Sequence, residues 1–129
     1  MHSAELSKNH DAIIVLEDDL MVSKEFYHYA QESFAFYKDD QKVAGIALYS
    51  STFNEVAYCR FDPIEDGSDN YFMQVPCSWG QMWSSSQWNN FMNYISEDAD
   101  KFTAIILPDT VSEWPDPSSW KKLFYRYMI

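Results

Sequence analysis

The sequence has little glycine and little positive charge. Its three glycines are few for loops that would have to cradle phosphate with their backbone alone. Lysine and arginine together number 9 against 20 aspartates and glutamates, which leaves a formal net charge of −11. Because nucleic acids and anionic lipids are bound through lysine and arginine, this balance argues against both as partners.

Cysteines and long apolar runs are equally scarce. Cys59 and Cys77 lack a metal-ligand spacing and are too few for a disulfide framework, so we expect reduced thiols. No apolar stretch reaches the roughly 20 residues of a membrane span, and the N-terminus lacks the apolar segment of a signal peptide. We therefore expect a soluble, cytoplasmic chain, with residues 1–129 forming a single domain.

What the chain does contain is an apolar run that leads into three consecutive carboxylates. Residues 12–16 precede Glu17, Asp18 and Asp19, and their β-branched character predicts a strand buried on both faces, as in a parallel sheet. Open α/β sheets bind ligands beyond the carboxyl ends of such strands. Adjacent carboxylates repel one another unless a cation shares the site, and divalent cations prefer oxygen ligands. The alternative is that the acids cap the following helix.

The next two elements continue this pattern into an α/β fold. Apolar residues recur at three- and four-residue intervals from Phe26 to Tyr37, which predicts an amphipathic helix from about Ser23 to 38–40. Residues 43–50 predict a second buried strand, so that strand, helix and strand form one right-handed βαβ unit. We expect a small mixed sheet flanked by helices.

The second half of the chain predicts shorter elements between irregular segments. Apolar periodicity predicts two helices, and a short run before a proline predicts an edge strand. Polar and proline-containing stretches predict surface loops. The predicted strand covers 71–75, the helices cover 87–96 and 120–129, and the loops cover 52–69 and 109–119.

Two tryptophans surround a glycine between the predicted strand and the first of these helices. Trp79, Gly80 and Trp83 have two interpretations. The tryptophans either pack in the core or line a sugar site, because aromatic faces offer apolar area beside a polar edge. The residues alone leave both interpretations open.

In combination, these motifs resemble those of GT-A-type glycosyltransferases, in particular the N-acetylglucosaminyltransferase I family and its bacterial relatives. Three stretches in the same order carry the resemblance, namely 14–19 (IVLEDD), 78–83 (SWGQMW) and 114–122 (WPDPSSWKK). The resemblance implies a partial GT-A fold that is a fragment of a larger transferase domain. Since the family grips the nucleotide base with elements before the acidic motif, we expect this chain alone to be inactive.

The resemblance also implies a role for each part of the site. Asp19 would ligate Mn²⁺ or Mg²⁺, while Asp18 and Glu17 would hold the ribose or order the site. The metal would bridge the diphosphate of a nucleotide-sugar donor and stabilise the leaving group. The Trp-Gly stretch would line the sugar and the acceptor, whose hydroxyl attacks the anomeric carbon with help from a carboxylate base. Such a reaction would build a glycan or polysaccharide.

The general base is the part of the site that the resemblance leaves open. The family has acids after the tryptophan that corresponds to Trp120, whereas this chain has Lys121 and Lys122. Glu113 and Asp116 are the nearest carboxylates and therefore the candidate bases.

Two other functions fit parts of the sequence. A response-regulator receiver domain also opens with a strand and acids, with Asp62 as phosphoacceptor and Lys101 as the distal lysine, although 57–61 makes a poor buried strand. A carbohydrate-binding or protein-interaction module would instead use an exposed aromatic platform. That platform would consist of Trp79, Trp83, Trp114 and Trp120. An unpaired sheet edge would in addition favour a homo-oligomer.

Overall fold

The fold is α/β, as predicted, and consists of short strands with four helices among the described residues. A computed structural model describes residues 9–97, 105–115 and 119–129. In chain order the elements are β1 (Ala12–Val15), α1 (Phe26–Tyr37), β2 (Ile46–Ala47), β3 (Phe53–Asn54), β4 (Cys59–Arg60), β5 (Gln81–Ser84), α2 (Ser85–Glu97), α3 (Asp109–Ser112) and α4 (Trp120–Met128).

Contacts within the chain divide it into two compact units. Unit 1 comprises Met1–Tyr49 and Cys77–Ala99, and unit 2 comprises Ser50–Pro76 and Asp100–Ile129. Among the described residues, no helix combines the length and apolar character that a membrane crossing requires.

The sheet of unit 1 has the strand order β1-β5-β2, and both of its pairings are antiparallel. Val15 lies opposite Gln81 on one side of β5, and Ala47 lies opposite Gln81 on the other. β1 and β2 therefore run in the same direction but do not pair, because β5 separates them. The common direction of β1 and β2, with α1 between them, agrees with the predicted strand-helix-strand unit. The predicted mixed sheet is wrong, because both pairings in this sheet are antiparallel.

The central strand β5 was not predicted because its ends are polar. All four of its residues are buried. The Gln81 side-chain Nε2 donates to the Ile46 carbonyl at 3.0 Å, and its Oε1 accepts from the Cys77 amide at 3.4 Å. The Ser84 Oγ accepts from the Gln87 amide at 3.1 Å. These long-range and turn partners satisfy the polar groups, which allows a polar segment to occupy the middle of a sheet.

Helices cover the sheet on both faces. Because side chains alternate along a strand, Met82 and Trp83 of β5 point to opposite sides. Met82 packs with Ile46 and with Ala30 of α1 in one core cluster. The ring of Trp83 lies 5.3 Å, between centroids, from that of Trp88 on α2.

The predicted strands on either side of β5 are shorter and more exposed than expected. β1 is buried at Ile13, but Val15 is exposed. Ala12 and Ile14, on the other face of the strand, are half-buried. β1 is therefore less buried than a strand inside a parallel sheet would be. Only Ile46–Ala47 of the predicted run 43–50 forms a strand, since β5 lies against just those residues of the run.

Helix α1 begins at Phe26, a little after the predicted start. The Ser23 Oγ accepts from the Glu25 amide at 3.0 Å and closes a turn before the helix. At the other end the Lys38 amide donates to the Phe34 carbonyl, close to the predicted end. Residues 20–25 separate the acids at 17–19 from the first helical residue, and Glu25 is the N-cap. The alternative that the acids cap the helix is therefore wrong.

Unit 2 contains a hairpin and two helices where the sequence predicts mostly loops. Strands β3 and β4 pair antiparallel within 52–69, and the Asn54 Oδ1 accepts from the Val56 and Ala57 amides to close the turn. Asx turns of this kind are encoded by one side chain, not by apolar periodicity. Helix α3 similarly lies within the predicted loop 109–119.

Of the elements predicted in the second half of the chain, the two helices are confirmed and the strand is not. Helices α2 and α4 confirm the predicted helices at 87–96 and 120–129. The predicted strand at 71–75 is wrong, because these residues form no strand and several of them are exposed. A short apolar run without a partner strand cannot satisfy its backbone by pairing.

Gly80 lies immediately before β5, between the chain segments that follow β1 and β2. Its φ is +123°, and a Cβ there would lie 3.1 Å from the Leu48 Cβ and 3.3 Å from the Leu16 Cδ2. Its carbonyl accepts from the Leu48 amide at 2.8 Å. A side chain at this position would therefore meet both an unfavourable backbone conformation and two crowded neighbours.

We predict that Gly80→Ala lowers the free energy of unfolding by roughly 2–4 kcal/mol, because backbone strain and overpacking add. Gly67→Ala is the matched control, since Gly67 has φ +88° but no atom within 4 Å of a built Cβ. It should lose only about 1 kcal/mol. Urea denaturation measures both variants, and equal losses would show that crowding by Leu16 and Leu48 contributes nothing.

Candidate functional site

The acidic turn, Glu17 to Asp19, follows β1 after a single leucine. All three residues are exposed, and Asp18 and Asp19 form a turn. In the part of the chain that the structure describes, no hydrogen bond or ion pair engages any of the three carboxylates. The negative charges are therefore not neutralised there by a lysine or an arginine, and their oxygens are accessible to a ligand.

The sheet register brings the acidic turn to the same end as the Trp-Gly segment. β1 and β2 end there and β5 begins there, because β5 is antiparallel to both. The short distances from Gly80 to Leu16 and Leu48 show that all three chain segments are still adjacent one residue beyond the paired strands. Glu17 then follows Leu16, and Trp79 precedes Gly80.

Trp79 is exposed at this end of the sheet and is held by one neighbouring ring. Trp79 is 51% exposed, and Tyr49, whose ring contacts it, is 43% exposed. The ring centroids lie 4.8 Å apart and the ring planes meet at 81°. The indole therefore offers an apolar face to solvent at the same end of the sheet as the acidic turn. Aromatic side chains of this kind provide apolar area beside a polar edge.

Trp83 occupies the opposite kind of environment. It is 2% exposed and points into the core from β5, where it contacts Trp88. This position favours the core-packing interpretation for Trp83 and keeps its ring away from solvent. Of the predicted substrate residues, Trp79 is thus exposed to solvent, while Gly80 is buried between Leu16 and Leu48.

The described carboxylates form no complete metal site by themselves. Among the described residues, no group of three or more His, Cys, Asp or Glu side chains could hold a metal ion by itself. Mg²⁺ and similar cations usually keep several waters and bind through one or two carboxylates together with substrate phosphates. Asp18 and Asp19, exposed in one turn, are a donor set of that kind.

The candidate bases lie elsewhere in the chain. Glu113 is exposed and follows α3 as its C-cap, with its amide donating to the Asp109 carbonyl at 3.2 Å. It belongs to unit 2, whereas the acidic turn belongs to unit 1. Asp116 lies outside the described residues.

Lys121 and Lys122 both have structural partners in unit 2. Lys122 is buried, and its Nζ donates to the carbonyls of Ser112 at 2.8 Å and Trp114 at 2.9 Å. Lys121 Nζ lies 2.7 Å from the Glu55 Oε1 and 4.9 Å from the centroid of the Trp114 ring. Lys122 thereby fixes the backbone around Glu113, since it binds the carbonyls on either side of that residue.

Tyr49, which contacts Trp79, was not among the residues that the sequence predicted for the site. The sequence feature that could have identified Tyr49 was its position near the end of the predicted strand 43–50. Because strands that run in one direction end at the same side of a sheet, the residues after β1 and β2 lie at the same end whether or not these strands pair. The T-shaped contact with Trp79 depends on the register of β5, which the sequence pattern did not reveal.

Comparison with known proteins adds no family assignment. No protein-family model, curated protein or solved structure matches the chain. The geometry of unit 1 and the sequence motifs therefore provide the observations that bear on function.

We predict that Lys122→Met lowers the free energy of unfolding by about 2–4 kcal/mol, because two carbonyls lose their charged donor. Lys121→Met is the matched control. It removes a partly exposed ion pair with Glu55, which is worth less than about 1 kcal/mol. Chemical denaturation compares the two adjacent substitutions. A larger loss for Lys121→Met would contradict the structural role assigned to Lys122.

Proposed function

We propose that the chain is the metal-binding part of a glycosyltransferase that moves a sugar from a nucleotide-sugar to an acceptor hydroxyl. The observation that supports this most is the joint position of the acidic turn and Trp79. Exposed carboxylates and an exposed indole leave the same end of one sheet. A nucleotide-sugar has the matching chemistry, since its diphosphate is adjacent to its sugar ring.

Charge explains why a cation belongs to this proposal. The chain has a formal net charge of −11, and the carboxylates at 17–19 would repel a diphosphate by themselves. Asp19 would provide the direct metal ligand, with Asp18 and Glu17 ordering the site or accepting from the ribose hydroxyls. When bound, Mn²⁺ or Mg²⁺ would supply the positive charge that stabilises the leaving diphosphate.

Other residues would act on the sugar and the acceptor. Trp79 would contact the apolar face of the sugar ring, and Gly80 would fix the backbone that presents it. Glu113, or alternatively Asp116, would accept the proton of the attacking hydroxyl as general base. A partial GT-A fold, a glycan acceptor, a role in polysaccharide biosynthesis and a cytoplasmic location belong to the same proposal.

The receiver-domain alternative has less support. Both oxygens of Asp62 are engaged by Arg60, with Nε–Oδ2 at 2.7 Å and Nη2–Oδ1 at 3.1 Å. The hydrogen bond and the charge of Asp62 raise the pKa of the Arg60 guanidinium. Asp62 also follows an exposed antiparallel strand, β4, whereas a phosphoacceptor needs an unpaired carboxylate at the end of a buried strand. Lys101 lies outside the described residues.

The aromatic-platform alternative is limited by burial. Trp83 is in the core. Trp114 and Trp120 are half-buried, and each contacts an aromatic ring of α4. Trp114 contacts Tyr125, and Trp120 contacts Phe124 one turn further along the helix. Trp79 alone of the four is exposed, which suits one ligand subsite better than an extended platform.

We predict that Asp19→Ala weakens Mn²⁺ binding by about tenfold or more, because the cation loses its direct carboxylate ligand. Isothermal titration calorimetry with and without a nucleoside diphosphate measures this effect. The matched control is Asp39→Ala, since Asp39 is also exposed but follows the far end of α1. Its affinity should equal that of wild type. Equal Mn²⁺ affinities for Asp19→Ala and wild type would remove Asp19 from the site.

A further inference from the structure

Tyr49 contacts Trp79 in a way that core packing does not require. Both residues are exposed, yet their rings meet nearly at right angles with centroids 4.8 Å apart. Such edge-to-face pairs add stabilisation beyond the area they bury. The contact therefore restricts the indole of Trp79 while leaving much of it open to solvent.

The backbone on both sides of this pair is fixed by the sheet. The Leu48 amide donates to the Gly80 carbonyl at 2.8 Å, and each of these residues is the chain neighbour of one of the two rings. Gly80 leaves no room for a side chain between Leu48 and Leu16. The backbone that carries the two rings is consequently fixed. The remaining freedom of the indole is rotation of its side chain, which the ring of Tyr49 restricts.

We infer that Tyr49 is a positioning residue that holds Trp79 as a wall for the apolar face of the donor's pyranose ring. The inference rests on the proposed function, and it goes beyond it by naming a residue and the part of the donor that the residue controls. In a nucleotide-sugar, the sugar is bonded directly to the diphosphate that the acids at 17–19 would hold through a cation. The carboxylates that remain free can accept hydrogen bonds from the sugar hydroxyls. The nucleobase, separated from the diphosphate by the ribose, lies further from the acids.

Binding measurements on two substitutions at one position test this inference. Tyr49→Phe keeps the ring and Tyr49→Leu removes it, and both variants should fold because Tyr49 is exposed. The control is Tyr27→Leu, at an exposed tyrosine on α1. UDP-, GDP- and dTDP-sugars are titrated with Mn²⁺ by calorimetry and by tryptophan fluorescence. The donor that binds most tightly is then compared with its own nucleoside diphosphate.

We expect Tyr49→Leu to weaken binding of the sugar nucleotide by about three- to tenfold, with no change for the nucleoside diphosphate. Tyr49→Phe and Tyr27→Leu should bind like wild type. Equal weakening of both ligands would overturn the inference, because the ring would then serve the nucleotide. Full affinity in Tyr49→Leu would also overturn it, as would a loss in Tyr49→Phe that matches the loss in Tyr49→Leu. If wild type binds none of these donors, the proposed function fails and the inference fails with it.

Discussion

The pairing of β5 with two strands at once is the constraint on which the site depends. β5 lies antiparallel between β1 and β2, so a single register sets what is adjacent on both sides. Gln81 maintains this arrangement from the interior, because its side-chain amide bonds the Ile46 carbonyl of β2 and the Cys77 amide. With that register in place, Gly80 lies between Leu16 and Leu48. The acidic turn, the indole of Trp79 and the ring of Tyr49 then extend from one end of the sheet.

The surface at that end is poorly explained by stability alone. Three consecutive acids without a hydrogen-bonded or ionic partner among the described residues repel one another. An indole that is half open to water forgoes part of the free energy that its burial would release. A ligand that brings a cation and an apolar ring would compensate both features. The proposal of a nucleotide-sugar and a divalent metal follows from this chemical match and accounts for the carboxylates and the aromatic pair together.

Sequence periodicity predicted the elements whose stabilising contacts are local. The helical spacing of Phe26 to Tyr37 and of the residues in α2 and α4 was sufficient to place those helices, and the apolar run at 12–16 was sufficient to place β1 and the acids that follow. β5 escaped prediction because the burial of Gln81 depends on partners distant in sequence. The same missing strand explains why the predicted mixed sheet was wrong, since β5 makes both pairings antiparallel. It also explains why Trp79 and Trp83 could not be distinguished, since their burial depends on the register of β5.

Paramagnetic broadening by Mn²⁺ tests the central claim most directly, because it reports the position of the cation residue by residue. With a cation held by the acidic turn, substoichiometric Mn²⁺ should broaden the amides of residues 17–20 first in a ¹H–¹⁵N correlation spectrum, and those of 79–80 next. The chain has other exposed acids, including those at 65–69, which should keep their signals at the same Mn²⁺ concentration. Broadening that starts at those acids, or that spreads evenly over the acidic surface, would contradict a metal site at the end of β1.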